Sequence, residues 1–315
     1  MRRRAAALLL ALLPLAAQAF PVSVSGQTIK PYNPKRHTGG LSSGSGAAIP
    51  ANLATIGICE QSGASCQGPA SCNGIATLLT AKGILPDNGG IGYQWLNDRA
   101  GIHARTLADA VHVLDALEDP ASGSYDDLRD PFAAVPKALI PAQPYVSFIV
   151  DGTALQKNPR PLERVLRDRL GAELVETTPP DYPDDPDVPN LRYTFADALS
   201  KLLPRLMPEL FSRADWVANA RFREDKSRAG AENWIAFKDH EEAGKADRLA
   251  RSLIARLALL KVMHENRIDA FVHPENTVPT PKIQGPDVGS IDLDGITPFF
   301  QIPRVTIPAG FSDVV

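Results

Sequence analysis

The chain has 315 residues, 44% of them hydrophobic and 22% charged, with a formal net charge of −3. This is the composition of a folded globular protein, with length enough for one large domain or two small ones. A weakly acidic chain without a basic face is not built for nucleic acid or an anionic membrane surface.

The first nineteen residues are laid out as a secretory signal. Arg2, Arg3 and Arg4 make a positive start, Ala5 to Ala16 an apolar run interrupted by Pro14, and Ala17-Gln18-Ala19 a small-x-small cleavage site before Phe20. The run is shorter than the roughly 20 apolar residues that cross a bilayer. No later stretch has the length and apolarity for a membrane span. The expectation is a leader over 1–19, one domain over 20–315, and a product that is periplasmic or secreted.

Residues 20–46 are rich in Gly, Ser and Pro and read as a loop, whereas 47–80 are small and apolar, as in closely packed strands and helix starts. Thr106-x-x-Asp109 is a capping box, and Leu107, Ala110, Val111, Leu114 and Leu117 recur at helical spacing behind it. A Pro/Asp/Ser-rich connection follows over 119–144. Tyr145 to Val150 reads as a strand, Leu162 to Leu170 as a helix closed by Gly171, and Ala172 to Val175 as another strand. That βαβ rhythm predicts an α/β fold with a mixed sheet and helices on both faces.

The acidic, proline-dense segment 179–189 reads as a solvated linker; a calcium site is the sharper alternative, without EF-hand spacing. Helices are predicted over 193–211 and 246–266. In the second, Leu249, Leu253, Leu257, Leu260 and Met263 form a core stripe. Ala270 to His273 is a further strand.

The cysteines are Cys59, Cys66 and Cys72, an odd number without CxxC spacing or a histidine close in sequence. They read as small buried hydrophobes, with no disulfide scaffold, metal site or cofactor expected.

Chemistry concentrates in Gly39-Gly40-Leu41-Ser42-Ser43-Gly44-Ser45-Gly46-Ala47-Ala48 and in Ser62-Gly63-Ala64-Ser65. Gly/Ser turns can gather backbone N–H groups around a developing oxyanion, and a hydroxyl at the end of such a turn can act as nucleophile. Gly40-Leu41-Ser42-Ser43-Gly44 also fits the G-x-S-x-G nucleophile elbow, but that motif needs a strand before it, and Pro34 to Thr38 is none. A flexible linker would not run straight into Ala47-Ala48-Ile49.

This pattern resembles the amidase-signature family. Asn33-Pro34 and the Gly/Ser loop are similar to its N-P…G-G-S-S-S-G-S-G-A-A, Gly57 to Cys66 to its G-T-D/E-T-D/G-G-S-I, and Pro69-Ala70-Ser71-Cys72-Asn73-Gly74 to its P-A-S-x-N-G. Asp98 to Thr106 resembles D-T-A-G-P-M-A-R-T, Ile268 to Val272 resembles I-D-A-L-V, and Pro303 to Phe311 resembles P-x-V-x-V-P-A-G-F. The resemblance implies carboxamide hydrolysis by a serine nucleophile, a second serine on a cis peptide bond and a lysine base. Carried onto this chain, Ser65 is the nucleophile and Ser42 a supporting serine. Ser62, Gly63, Ala64 and Ser65 offer oxyanion N–H groups, and Gly40 and Leu41 join them in the substrate-facing loop.

Two departures are expected to weaken the chemistry. Leu41 stands where the family has its relay serine, and a hydrocarbon passes no proton. The family's lysine segment lies well upstream of the loop, where this chain has its leader; Lys30 and Lys35 are the lysines nearest in sequence. Losing a relay member costs on the order of 10⁴–10⁶ in rate, and an oxyanion hole alone retains roughly 10³-fold over water. The expectation is a crippled amidase for small or peptide-like carboxamides, shortened at both ends and prone to self-association through exposed sheet edges. An active enzyme with a substitute base and a non-catalytic binding protein are the alternatives.

Overall fold

The structure is a computed structural model and describes residues 22–23, 26–85, 97–117, 147–150, 165–169, 171–175, 242–272, 280, 282–283 and 302–308. The predicted leader over 1–19, the predicted 119–144 connection, 179–189 linker and 193–211 helix, and residues 309–311 lie outside the described residues.

The hairpin β1 (Val22–Ser23) and β2 (Gly26–Gln27) comes first, followed by α1 (Ser43–Ala48), β3 (Ile56–Gln61), α2 (Gln67–Asn73), β4 (Ala76–Leu79), β5 (Arg99–Ala104) and α3 (Leu107–Leu117). Then come β6 (Ser147–Val150), a π-helical turn (Val165–Arg169), β7 (Glu173–Val175), α4 (Glu242–Asn266), β8 (Ala270–Val272) and β9 (Arg304–Thr306). The sheet that carries the site is antiparallel throughout, in the order β3-β5-β4-β9. A second sheet, β7-β6-β8, is parallel.

The α/β class therefore holds. Antiparallel and parallel strand pairing both occur among the described residues. The βαβ reading survives in β6 and β7, with Gly171 at φ +66° closing the turn between them.

Alternation along the strands gives the first sheet two faces. Ala100, Ile102 and Ala104 of β5, with Ile56 and Leu78, pack against Leu107, Ala110, Val113 and Leu114 of α3. The cap of α3 forms as the sequence predicts: Thr106 Oγ1 accepts from Asp109 N at 3.2 Å and donates to Asp109 Oδ2 at 2.7 Å. The opposite face carries Cys59 and Leu79 together with Cys66, and Ile49, Ala70 and Ile75 form the adjoining core beneath α1 and α2.

The predicted loop over 20–46 is corrected at its end, where α1 starts at Ser43. Its sequence, Ser-Gly-Ser-Gly-Ala-Ala, has weak helix propensity. Close packing sustains it: a Cβ built on Gly57 of β3 would lie 2.7 Å from Ser45 Cβ, so the missing side chain lets α1 sit against the strand.

The stripe predicted on α4 is also corrected. Leu257 and Leu260 are 53% and 37% exposed, while Ser252, Ala255 and Leu259 are buried. Apolar residues surround this helix on nearly every side, so periodicity did not select one face.

Candidate active site

The Gly/Ser loop meets the 62–65 turn at the end of β3. Gly40 has φ +49°, and a Cβ there would fall 2.5 Å from Pro69 Cδ and 3.1 Å from Ser65 O, so the loop is pressed onto the start of α2. Ser42 N donates to Ser65 O at 3.1 Å, which joins the two predicted segments through backbone. The Ser42 hydroxyl is engaged elsewhere. It donates to Glu60 O at 3.1 Å and accepts from Glu60 N at 3.2 Å, fastening the loop to β3. Leu41 is half-buried between Gly40 and Ser42, and all peptide bonds among the described residues are trans.

In the turn, Ser62 and Ser65 are 5% and 7% exposed, Gly63 and Ala64 are half-buried, and space beside Gly63 is open. Among the described residues nothing hydrogen-bonds to the Ser65 hydroxyl, and no acceptor takes the N–H groups of Ser62, Gly63, Ala64 or Ser65. The next two N–H groups are taken: Cys66 N and Gln67 N donate to Gln61 Oε1 at 3.0 and 3.2 Å. Gln61 thus satisfies first-turn donors of α2, a capping role that its position at the strand end did not announce.

A polar cluster that the sequence reading missed lies at the same end of the sheet. Ser62 Oγ donates to Asp98 Oδ1 and lies 3.2 Å from Glu60 Oε1. Lys82 is buried and its Nζ donates to Asp98 O at 2.5 Å. Beside it, the Arg99 guanidinium donates to Ile302 O at 2.6 Å. Burial, helped by Arg304 and Arg256 and opposed by Glu60, lowers the Arg99 pKa to about 9, which leaves it charged at neutral pH. Lys30 and Lys35, nearest the loop in sequence, sit in a hairpin bridged at Ile29 and His37, with Lys35 exposed.

The cysteine reading is corrected. Cys59 and Cys66 form a disulfide with a Cα–Cα distance of 5.4 Å, and Cys72, outside that bond, is half-buried rather than buried. Burial was right for both bonded residues, at 3% and 0% exposure. Their pairing, between a strand and the turn that leaves it, depends on the fold. His103 lies against this bridge, fully buried, with Nδ1 3.0 Å from Ser45 Oγ and Nε2 2.7 Å from Cys66 O.

Burial lowers the His103 pKa to about 4, outweighing the opposing bond to the Cys66 carbonyl, so the ring is neutral at physiological pH. Cys59, Cys66 and His103 also bring possible metal-ligating atoms within 4.8 Å of one another, the one such group among the described residues. Disulfide sulfurs are not thiolates, so in this oxidation state the group does not offer that ligand set.

A family model described as Amidase matches residues 19–314. The chain is 25% identical over 304 residues to a probable amidase of Arabidopsis thaliana, covering 89% of this chain and 55% of the relative. It is 29% identical over 170 residues to an indoleacetamide hydrolase of Bradyrhizobium japonicum, covering 50% of this chain and 35% of the relative. Among solved structures, the native peptide amidase from Stenotrophomonas maltophilia superposes with a TM-score of 0.75 at 22% identity, covering 96% of this chain and 65% of that one. That likeness is one of fold. The chain thus spans between about a third and two thirds of the length of these relatives. With the family match running from residue 19 to residue 314, the chain belongs to the amidase-signature family.

Proposed function

We propose that the chain is an exported amidase-type C–N hydrolase for small or peptide-like carboxamides, with Ser65 as nucleophile and a proton relay too damaged for efficient turnover. The observation that carries this reading is the state of Ser42. Its single proton goes to the Glu60 carbonyl, so the supporting serine serves the strand rather than Ser65. With Leu41 in the relay position, Ser65 keeps its oxyanion N–H groups and lacks a path for its proton.

The Cys59–Cys66 disulfide supports export, since such bonds persist in oxidising compartments. N-terminal sequencing of protein recovered from the periplasm should begin at Phe20, and recovery of intact Met1 from the cytoplasm would contradict this. We also propose self-association through apolar surface, argued below.

The test of the chemistry is a fluorophosphonate probe together with a panel of aryl amides. Labelling that disappears in Ser65→Ala, without appreciable amide turnover, is the expected result. Brisk Ser65-dependent release of amine would overturn the crippled reading.

A second reading, an active amidase with a substitute base, is favoured by one observation: the Ser62 hydroxyl is hydrogen-bonded to the Asp98 carboxylate, with Lys82 alongside. It predicts turnover that is lost in Asp98→Asn while Ser65 labelling remains.

A further inference from the structure

We propose that His103 is a positioning residue for the nucleophile turn: its imidazole is bonded on one side to Ser45 of α1 and on the other to the carbonyl of Cys66, the residue that follows Ser65. The inference rests on Ser65 being the nucleophile.

The arrangement begins in the strand register. His103 of β5 pairs with Gly57 of β3, and Ser45 occupies the space that a Gly57 side chain would fill. Ser45 Oγ thereby comes within 3.0 Å of Nδ1, while Nε2 lies 2.7 Å from Cys66 O. A carbonyl can only accept, so the partners assign the hydrogen to Nε2, and Nδ1 accepts the Ser45 proton. Burial keeps the ring neutral and so preserves this one-way chain, Ser45 to imidazole to carbonyl. Ser45 Oγ also lies 3.1 Å from Ser42 O, but it has one proton, and the tautomer directs it to the ring.

Cys66 is consequently held at every polar or covalent handle it has. Its sulfur is bonded to Cys59, its N–H donates to Gln61 Oε1 at 3.0 Å, and its carbonyl accepts from Ala70 N at 3.2 Å and from His103. Ser65 O, one peptide earlier, accepts from Ser42 N at 3.1 Å. On the other side Ala64 O accepts from Gly68 N at 2.8 Å, so the peptide groups flanking Ser65 are both anchored and the next one is held by His103, which together set the direction of its hydroxyl and of the N–H groups before it. A histidine that merely filled the core would need its nitrogens satisfied by any neighbour. Here the two partners belong to α1, next to the Ser42 loop, and to the nucleophile turn, which the imidazole links.

The test uses saturation kinetics of fluorophosphonate labelling on the disulfide-intact chain, separating maximal labelling rate from probe affinity. His103→Leu should lower the maximal rate about 10- to 100-fold, the scale expected for a misplaced reacting group, with affinity changed less than about 2-fold. His103→Gln keeps an N–H donor for the Cys66 carbonyl and should recover most of the loss. Ser45→Ala should slow labelling by a smaller factor, and it serves in place of the leucine variant if that protein does not fold. Wild-type rates in folded His103→Leu or in Ser45→Ala, or a glutamine variant as slow as the leucine one, overturn the proposal. If the unaltered chain shows no Ser65-dependent labelling, the nucleophile reading fails by itself. Hydrogen exchange in the 62–66 peptide then decides the positioning claim: faster exchange in His103→Gln or Ser45→Ala, with α3 unchanged, supports it, and unchanged exchange overturns it.

Discussion

Ser42 illustrates how one hydroxyl can be wholly engaged in structure. Both of its bonds go to the Glu60 backbone, at 3.1 and 3.2 Å. Ser42→Ala should leave that backbone pair without its partner and lower stability by about 1–2 kcal/mol, read as a lower urea midpoint at constant slope. His103 makes a second prediction. Its folded pKa of about 4 lies below its ordinary 6.5, so between those values the unfolded chain binds more protons than the folded one. Stability should therefore fall as pH drops from about 6.5 to about 4, by about 3 kcal/mol, and this group adds no further loss below that window. Urea melts across that range should show the slope in the unaltered chain and a shallower one in His103→Gln.

At the scale of elements, the disulfide ties β3 to the start of α2 across a sequence separation of 7. Closing so short a loop is worth about 2–3 kcal/mol by chain entropy. Cys59→Ser with Cys66→Ser should lower the unfolding free energy by roughly that amount, and a double variant as stable as the parent would contradict it. What the sequence revealed at this scale was local. The α3 cap was legible because Thr106 and Asp109 satisfy each other within one turn, and Gly171 because a residue after a helical turn needs positive φ. The Gly/Ser loop and the 62–65 turn stood out by composition, and the bond from Ser42 N to Ser65 O brings the two segments together. The Cys59–Cys66 bond, the helix at Ser43 and the Ser45–His103 contact were not legible: the last joins residues 58 positions apart, through a gap that exists only once Gly57 and His103 are paired across two strands.

For the whole molecule, alternating strands and helices identified the α/β class, but which of the described strands pair, and in which direction, is decided by contacts between distant segments. The faces of α4 had the same difficulty. Ile254, Leu257 and Leu260 are 55%, 53% and 37% exposed, and Val305 and Ile307 on and after β9 are also exposed. Apolar surface left in water favours association. Sedimentation should show species larger than a monomer as concentration rises, and Leu257→Glu with Leu260→Glu should shift the distribution towards monomer.

Gly57 ties these scales together, because the hydrogen in place of its side chain is what admits Ser45 to the imidazole. A methyl group there and an altered ring at 103 would sever one and the same link. Gly57→Ala and His103→Leu should accordingly be epistatic: once His103→Leu is present, Gly57→Ala should add little to the loss of Ser65 labelling, whereas independent defects would multiply. A residue with no side chain would then constrain which substitutions its strand neighbour and the facing helix can accept.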